Sequence, residues 1–108
     1  MAYAVQNALF QWEEGERRLR EAREPAREQL DRAAESVIAE LRRRLGSTFT
    51  VPELADFYAS GTDWAADIAE RRFAGTDTKF VVDAAFYRYT REASDFAGGR
   101  VRVLPERD

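Results

Sequence analysis

Asp63, Asp67 and Glu70 follow one another at steps of four and three residues, so a helix over this stretch carries all three carboxylates on one face. Such a row can hold Mg²⁺ when a second helix brings further oxygen ligands and a phosphate substrate arrives. Asp77 and Asp83 follow close behind, and Asp63 and Asp77 each end a Gly-Thr-Asp tripeptide that occurs twice, fourteen residues apart. The repeat has two readings, ligands that converge on a metal or phosphate, or punctuation between helices. The rest of the composition narrows the chemistry. The sequence has no cysteine and no histidine, which removes the usual transition-metal ligands, the usual general base at neutral pH and every Ser-His or Cys-His nucleophile. Catalysis would have to rest on carboxylates, Arg, Tyr, Ser, Thr or Lys79, the only lysine.

Punctuation accounts for the repeat more simply. Gly61 and Gly75 stop helices, and the Thr-Asp that follows each offers side-chain oxygens to the first amides of the next helix. Fourteen residues is the length of one short helix and its turn. All-α nucleotide pyrophosphatases use paired acidic motifs on facing helices, and Glu13, Glu14 and Asp83 invite that comparison. The comparison is expected to fail on spacing, for lack of paired Glu-x-x-Glu and Glu-x-x-Asp blocks. Helix caps and solvated faces are therefore the expectation for these acids. No catalytic residue, metal ligand or cofactor site is expected, and a carboxylate, Mg²⁺-dependent phosphate-handling enzyme is kept as a second alternative.

Residues 50–73, "TVPELADFYASGTDWAADIAERRF", resemble a helix-turn-helix. Ala55 falls where the first helix needs a small residue, Ala59 where a turn glycine is common, and Ile68 on a buried position of the second helix. The resemblance implies a DNA-binding transcriptional regulator. Against it, the second helix opens with Asp63, Trp64, Ala65, Ala66 and Asp67, whereas base-reading helices present Arg, Lys, Asn or Gln, and carboxylates are repelled by the duplex. Arg71 and Arg72 come a turn or more too late. Residues 47–97 hold nine acidic and five basic side chains, against nine and nine in residues 1–46. The middle of the chain is not built to meet a polyanion.

Around these motifs the spacing of apolar residues predicts an all-α fold. Val5, Ala8, Leu9 and Trp12 form one docking face, followed by "EEGERRLREARE", which offers almost nothing to bury. Glu13 with Arg17, Glu14 with Arg18 and Glu16 with Arg20 have the acid-first, four-residue spacing that supports a solvated helix. Pro25 is expected to kink the helix or to restart it. Leu30, Ala34, Val37, Ile38, Leu41 and Leu45 then make a continuous stripe that ends at Gly46. In "FTVPEL" Thr50 and Glu53 have capping-box spacing, with Phe49 placed to pack on Leu54. A third helix follows Gly61, and a last one runs through Val82, Phe86, Tyr89, Ala93 and Phe96 to Gly98-Gly99. "RVRVLPERD" alternates briefly but has no strand to pair with.

The expected architecture is thus a small helical bundle: a long N-terminal helix or arm, kinked or broken near Pro25, then three shorter helices and a mobile C-terminal tail. Residues 1–24 are the charged arm with an apolar tip, which either docks on its own core, folded back at Pro25 as a hairpin against Leu30 to Leu45, or reaches a partner or second copy; 25–97 are the helical core domain and 98–108 the flexible tail. Phe57, Trp64, Phe73, Phe80, Phe86 and Phe96 are expected in the core, with Tyr3, Trp12, Tyr58, Tyr87 and Tyr89 partly exposed. No stretch approaches the roughly 20 apolar residues of a membrane span, and no signal-peptide pattern is read at the N-terminus, so a cytoplasmic protein is expected. Its expected work is binding another protein, as a regulatory or assembly subunit without catalytic activity. The expected contact surface is Val5, Leu9, Trp12, Arg71 and Arg72, with a protein partner or self-association into a homo-oligomer, and with no nucleic acid or membrane partner.

Overall fold

The computed structural model describes residues 2–46, 48–72, 78–91, 93–97 and 100–103, with side chains over 6–46, 49–72 and 78–91. The described residues are mostly helical, in five helices: α1 (Ala2–Glu21), α2 (Ala26–Leu45), α3 (Val51–Ala59), α4 (Asp63–Arg72) and α5 (Thr78–Arg91). Three short strands join them, β1 (Thr48–Thr50), β2 (Ala93–Ala97) and β3 (Arg100–Val103). They form an antiparallel sheet in the order β1-β3-β2.

The breaks between helices follow local chemistry. α1 stops before Pro25, whose missing amide costs nothing at the entry to a new helix, and α2 restarts directly behind it. Gly46 closes α2 at φ 77° and donates its amide to the Arg42 carbonyl at 2.9 Å. α3 opens on a complete capping box: the Thr50 amide donates to Glu53 Oε1 at 2.8 Å, and the Glu53 amide donates to Thr50 Oγ1 at 3.1 Å. Gly61, at φ 137°, turns the chain between α3 and α4, and the Thr62 carbonyl accepts the Ala66 amide at 2.9 Å in the first turn of α4. The first Gly-Thr-Asp is therefore a turn between two helices. Gly75, Thr76 and Asp77 of the second copy lie outside the described residues.

α5 is the element around which the others pack, with α1, α2 and α4 against it. From α2, Leu30, Ala33, Ala34, Val37, Ile38 and Leu41 are buried, as the stripe requires. From α5, Val81, Val82, Ala84, Ala85, Phe86 and Tyr89 meet them. Four expectations need correction. α1 is not a projecting arm: Ala8, Trp12, Gly15, Glu16 and Leu19 turn inward, and Trp12 is fully buried between Tyr58 and Phe86, with ring centroids 5.7 and 5.4 Å away. Tyr89 is fully buried too. It stacks on Phe49 at 4.9 Å and donates its hydroxyl to the Gly46 carbonyl at 2.6 Å, so a polar tip is satisfied inside the core. The last helix ends at Arg91, short of Ala93 and Phe96, which lie in β2. Arg100–Val103 is the middle strand of the sheet and not part of a mobile tail; its partner "TFT" is three residues long and about fifty positions away. Gly98-Gly99 stands between β2 and β3, where Gly-Gly is as good a hairpin signal as a helix stop.

Candidate functional site

α1 shows why its two faces differ. The steps from Ala8 to Trp12, Gly15 and Leu19 are four, three and four, one continuous helical stripe in which a glycine stands at the point of closest approach. A Cβ on Gly15 would lie 2.5 Å from Asp83 Cβ, 2.8 Å from the Phe80 carbonyl oxygen and 2.9 Å from the Ala84 amide nitrogen. α1 and α5 thus cross nearly backbone to backbone. With that face committed to the core, the opposite side of α1 faces outward, and Phe10 on it is 72% exposed. Phe10, Glu13, Glu14, Arg17 and Arg20 line a shallow surface groove of about 390 Å³.

The charges of α1 pair along the helix, but not all as their spacing predicts. Glu14 with Arg18 (3.4 Å) and Glu16 with Arg20 (3.1 Å) pair as expected. Arg17 turns instead to Glu14 and to Glu21, the latter at 2.6 Å. The hydrogen bond from Arg17 holds the Glu14 carboxyl below the usual carboxylate range against the opposing effect of desolvation. Glu13 has no ion pair or hydrogen bond among the described residues.

Two polar clusters lie deeper. Arg88 of α5 donates from Nε to Glu16 Oε1 at 2.6 Å and from an η nitrogen to Asp31 Oδ1 at 2.8 Å, which ties α1, α2 and α5 together. Burial works against the guanidinium's charge, but its hydrogen bonds to Glu16 and Asp31 outweigh burial and raise its pKa. Glu13-x-x-Glu16 and Glu28-x-x-Asp31 do have the paired acidic spacing, which corrects the expectation that such blocks are lacking. The cation between Glu16 and Asp31 is Arg88. Arg88→Ala should cost about 2 kcal/mol in a denaturant melt, because Glu16 is left buried with only Arg20 beside it. Replacing the pair together, Glu16→Leu with Arg88→Met, should recover most of that loss.

The second cluster is Tyr58, Lys79 and Asp83. Asp83 is 2% exposed; Tyr58 donates its hydroxyl to Oδ1 at 2.6 Å, and Lys79 Nζ donates to Oδ2 at 3.1 Å. These three, with Thr62, Glu70 and Thr78, line a cleft of about 320 Å³. Both oxygens of the Asp83 carboxylate are thereby engaged. Burial, then the Asp83 hydrogen bond and its negative charge, push the Tyr58 hydroxyl far above its ordinary value of 10.0. A raised folded-state pKa stabilises fully below the unfolded value and is lost as pH climbs beyond it. The native chain should therefore lose stability above about pH 10, and Tyr58→Phe should flatten that loss while costing about 1 kcal/mol at neutral pH. Paired melts at pH 8 and at pH 11 check both.

The residues expected to form a contact surface are distributed differently. Trp12 is in the core and Leu9 is half-buried against it; the Val5 side chain lies outside the described residues. Arg71 and Arg72 are exposed in the last turn of α4. The structure therefore does not bring Trp12 together with the two arginines on one surface. Phe10, missed because it falls out of phase with the apolar stripe, is the large apolar side chain that faces water among the described residues. Of the acids whose convergence would mark a metal site, the cleft gathers only Glu70 and Asp83. Asp63 and Asp67 are exposed on α4 and Asp77 lies outside the described residues. Among the described residues no three acidic side chains are placed to hold a metal ion.

No family model, curated protein or solved structure matches the chain. Function has to be argued from the site itself.

Proposed function

We propose that the chain is a small protein-interaction module, a regulatory or assembly subunit with no catalytic activity, and that its contact surface is the outer face of α1 around Phe10. The observation that carries this reading is the division of α1 into two faces. One is fixed in the core by Trp12, Gly15 and Leu19, and the other presents Phe10 at 72% exposure among charged side chains. An exposed aromatic ringed by charges on a rigid helix has the composition of an interface anchor and its rim. The neighbouring polar clusters support the same reading, since Glu16, Asp31, Asp83 and Tyr58 use their polar atoms to hold helices together. A cytoplasmic site of action and the absence of a membrane partner belong to this proposal. No helix among the described residues is long and apolar enough to cross a membrane.

DNA binding through α3 and α4 is the less favoured reading. Glu53, Asp56, Asp63, Asp67 and Glu70 are all exposed on that pair of helices, where the basic residues are Arg71 and Arg72. A duplex would meet net negative charge.

The test is affinity capture from the source cell with the full chain as bait, run beside a Phe10→Asp bait and read by quantitative mass spectrometry. Partners that bind the wild-type chain and fall by about tenfold or more on Phe10→Asp are expected, since a buried aromatic anchor is worth roughly 2 kcal/mol or more. Capture that is indifferent to Phe10 would rule out this surface.

A further inference from the structure

We infer that the outer face of α1 pairs with the same face of a second copy of the chain, antiparallel, about a twofold axis at the level of Gly15. The inference rests on the contact surface proposed above and names its partner. The stripe that faces outward is Phe10, Glu13, Arg17 and Arg20, at steps of three, four and three, the spacing of a helix-pairing seam. Phe10, Glu13, Arg17 and Arg20 are all exposed, and the buried side of α1 fixes the rotation at which they are presented.

An antiparallel pair centred on residue 15 places Phe10 of each copy opposite Arg20 of the other, and Glu13 opposite Arg17. Both kinds of contact are attractive, a guanidinium on an aromatic face and an ion pair, and the twofold axis makes each of them twice. The parallel arrangement instead sets Glu13 on Glu13, Arg17 on Arg17 and Arg20 on Arg20. A relative slip of seven residues, two turns toward the C-terminus, sets Arg17 on Arg20, while a slip of one turn keeps Glu13 near Arg20 but brings Arg17 close to Arg17. The charge order along the stripe therefore disfavours the parallel orientation, and among antiparallel registers the one centred on residue 15 pairs every charge of the stripe favourably. Glu13 is also the acid of this face that has no partner among the described residues, although Arg17 stands four residues away. Within its own chain Arg17 is bonded to Glu14 and Glu21, and Arg17 of the second copy takes Glu13 as a third carboxylate beside those two.

Four side chains per copy make a small interface, so the dimer is weak and sensitive to salt. The test is sedimentation equilibrium of the full chain at low ionic strength, with circular dichroism confirming helicity. Wild type should associate reversibly, and more weakly as salt is added. Glu13→Arg and Arg17→Glu should each weaken association at least about tenfold, because each turns two attractive contacts into repulsions. Mixed in equal amounts, these two variants should associate again, since one chain then carries arginine at both positions and the other carries glutamate at both. Phe10→Ser, at an exposed position, should also weaken the wild-type dimer. A wild-type chain that stays monomeric near millimolar concentration, a dimer indifferent to the single reversals, or a mixture that stays monomeric would each overturn the inference. A monomeric chain whose captured partner is still lost on Phe10→Asp would leave the interaction module standing and remove only the second copy as its partner.

Discussion

Gly15→Ala should destabilise the chain by about 3 kcal/mol and lower its melting temperature by on the order of 10 °C. An alanine inside a helix ordinarily gains up to about 1 kcal/mol over glycine, so an effect of the opposite sign isolates the packing contribution. The new methyl group would stand 2.5 Å from Asp83 Cβ, 2.8 Å from the Phe80 carbonyl oxygen and 2.9 Å from the Ala84 amide nitrogen. Backbone atoms cannot rotate aside as a long side chain can. α1 would have to lift from α5, loosening Trp12 from Phe86 and Tyr58 and lengthening the contact from Glu16 to Arg88. Denaturant melts of the variant and wild type decide the matter, and a variant as stable as wild type would mean that the two helices do not cross at Gly15.

The same glycine explains what could and could not be read in the sequence. α2 was legible because its stripe from Leu30 to Leu45 is made of large apolar residues, and α3 because Thr50 and Glu53 form a cap that depends on local spacing alone. The break at Pro25 and the stop at Gly46 were legible for the same local reason. In α1 the stripe passes through Gly15, which carries no hydrophobic side chain, and beside Glu16, whose burial depends on Arg88 seventy-two positions away. The inward face therefore looked like a solvated spacer. Phe10 had the opposite fault, an apolar residue on the polar side, where periodicity gives it no role. The sheet was illegible because pairing is non-local: Thr48–Thr50 is too short to signal a strand until Arg100–Val103 lies beside it.

The acidic residues teach a related lesson. Asp63, Asp67 and Glu70 attract attention by spacing on a single helix, yet the carboxylates that the fold brings to partners are Glu16, Asp31 and Asp83, each on a different helix. Spacing within one element can be seen in a sequence; convergence between elements requires the fold.

The central claim is that α1 is a core helix with one face left for contact, not an arm that the domain can do without. Its most direct test is the thermal and urea unfolding of a chain lacking residues 1–23, followed by circular dichroism. Removal takes away Trp12 and Leu19, each worth roughly 1.5–3 kcal/mol of burial, and exposes Phe86 and Ala84 on α5. Against a total stability of about 5–15 kcal/mol for a domain of this size, the predicted result is a chain without a cooperative transition. A truncated chain that melts cooperatively near the full-length temperature would contradict the claim and restore α1 as a separable arm.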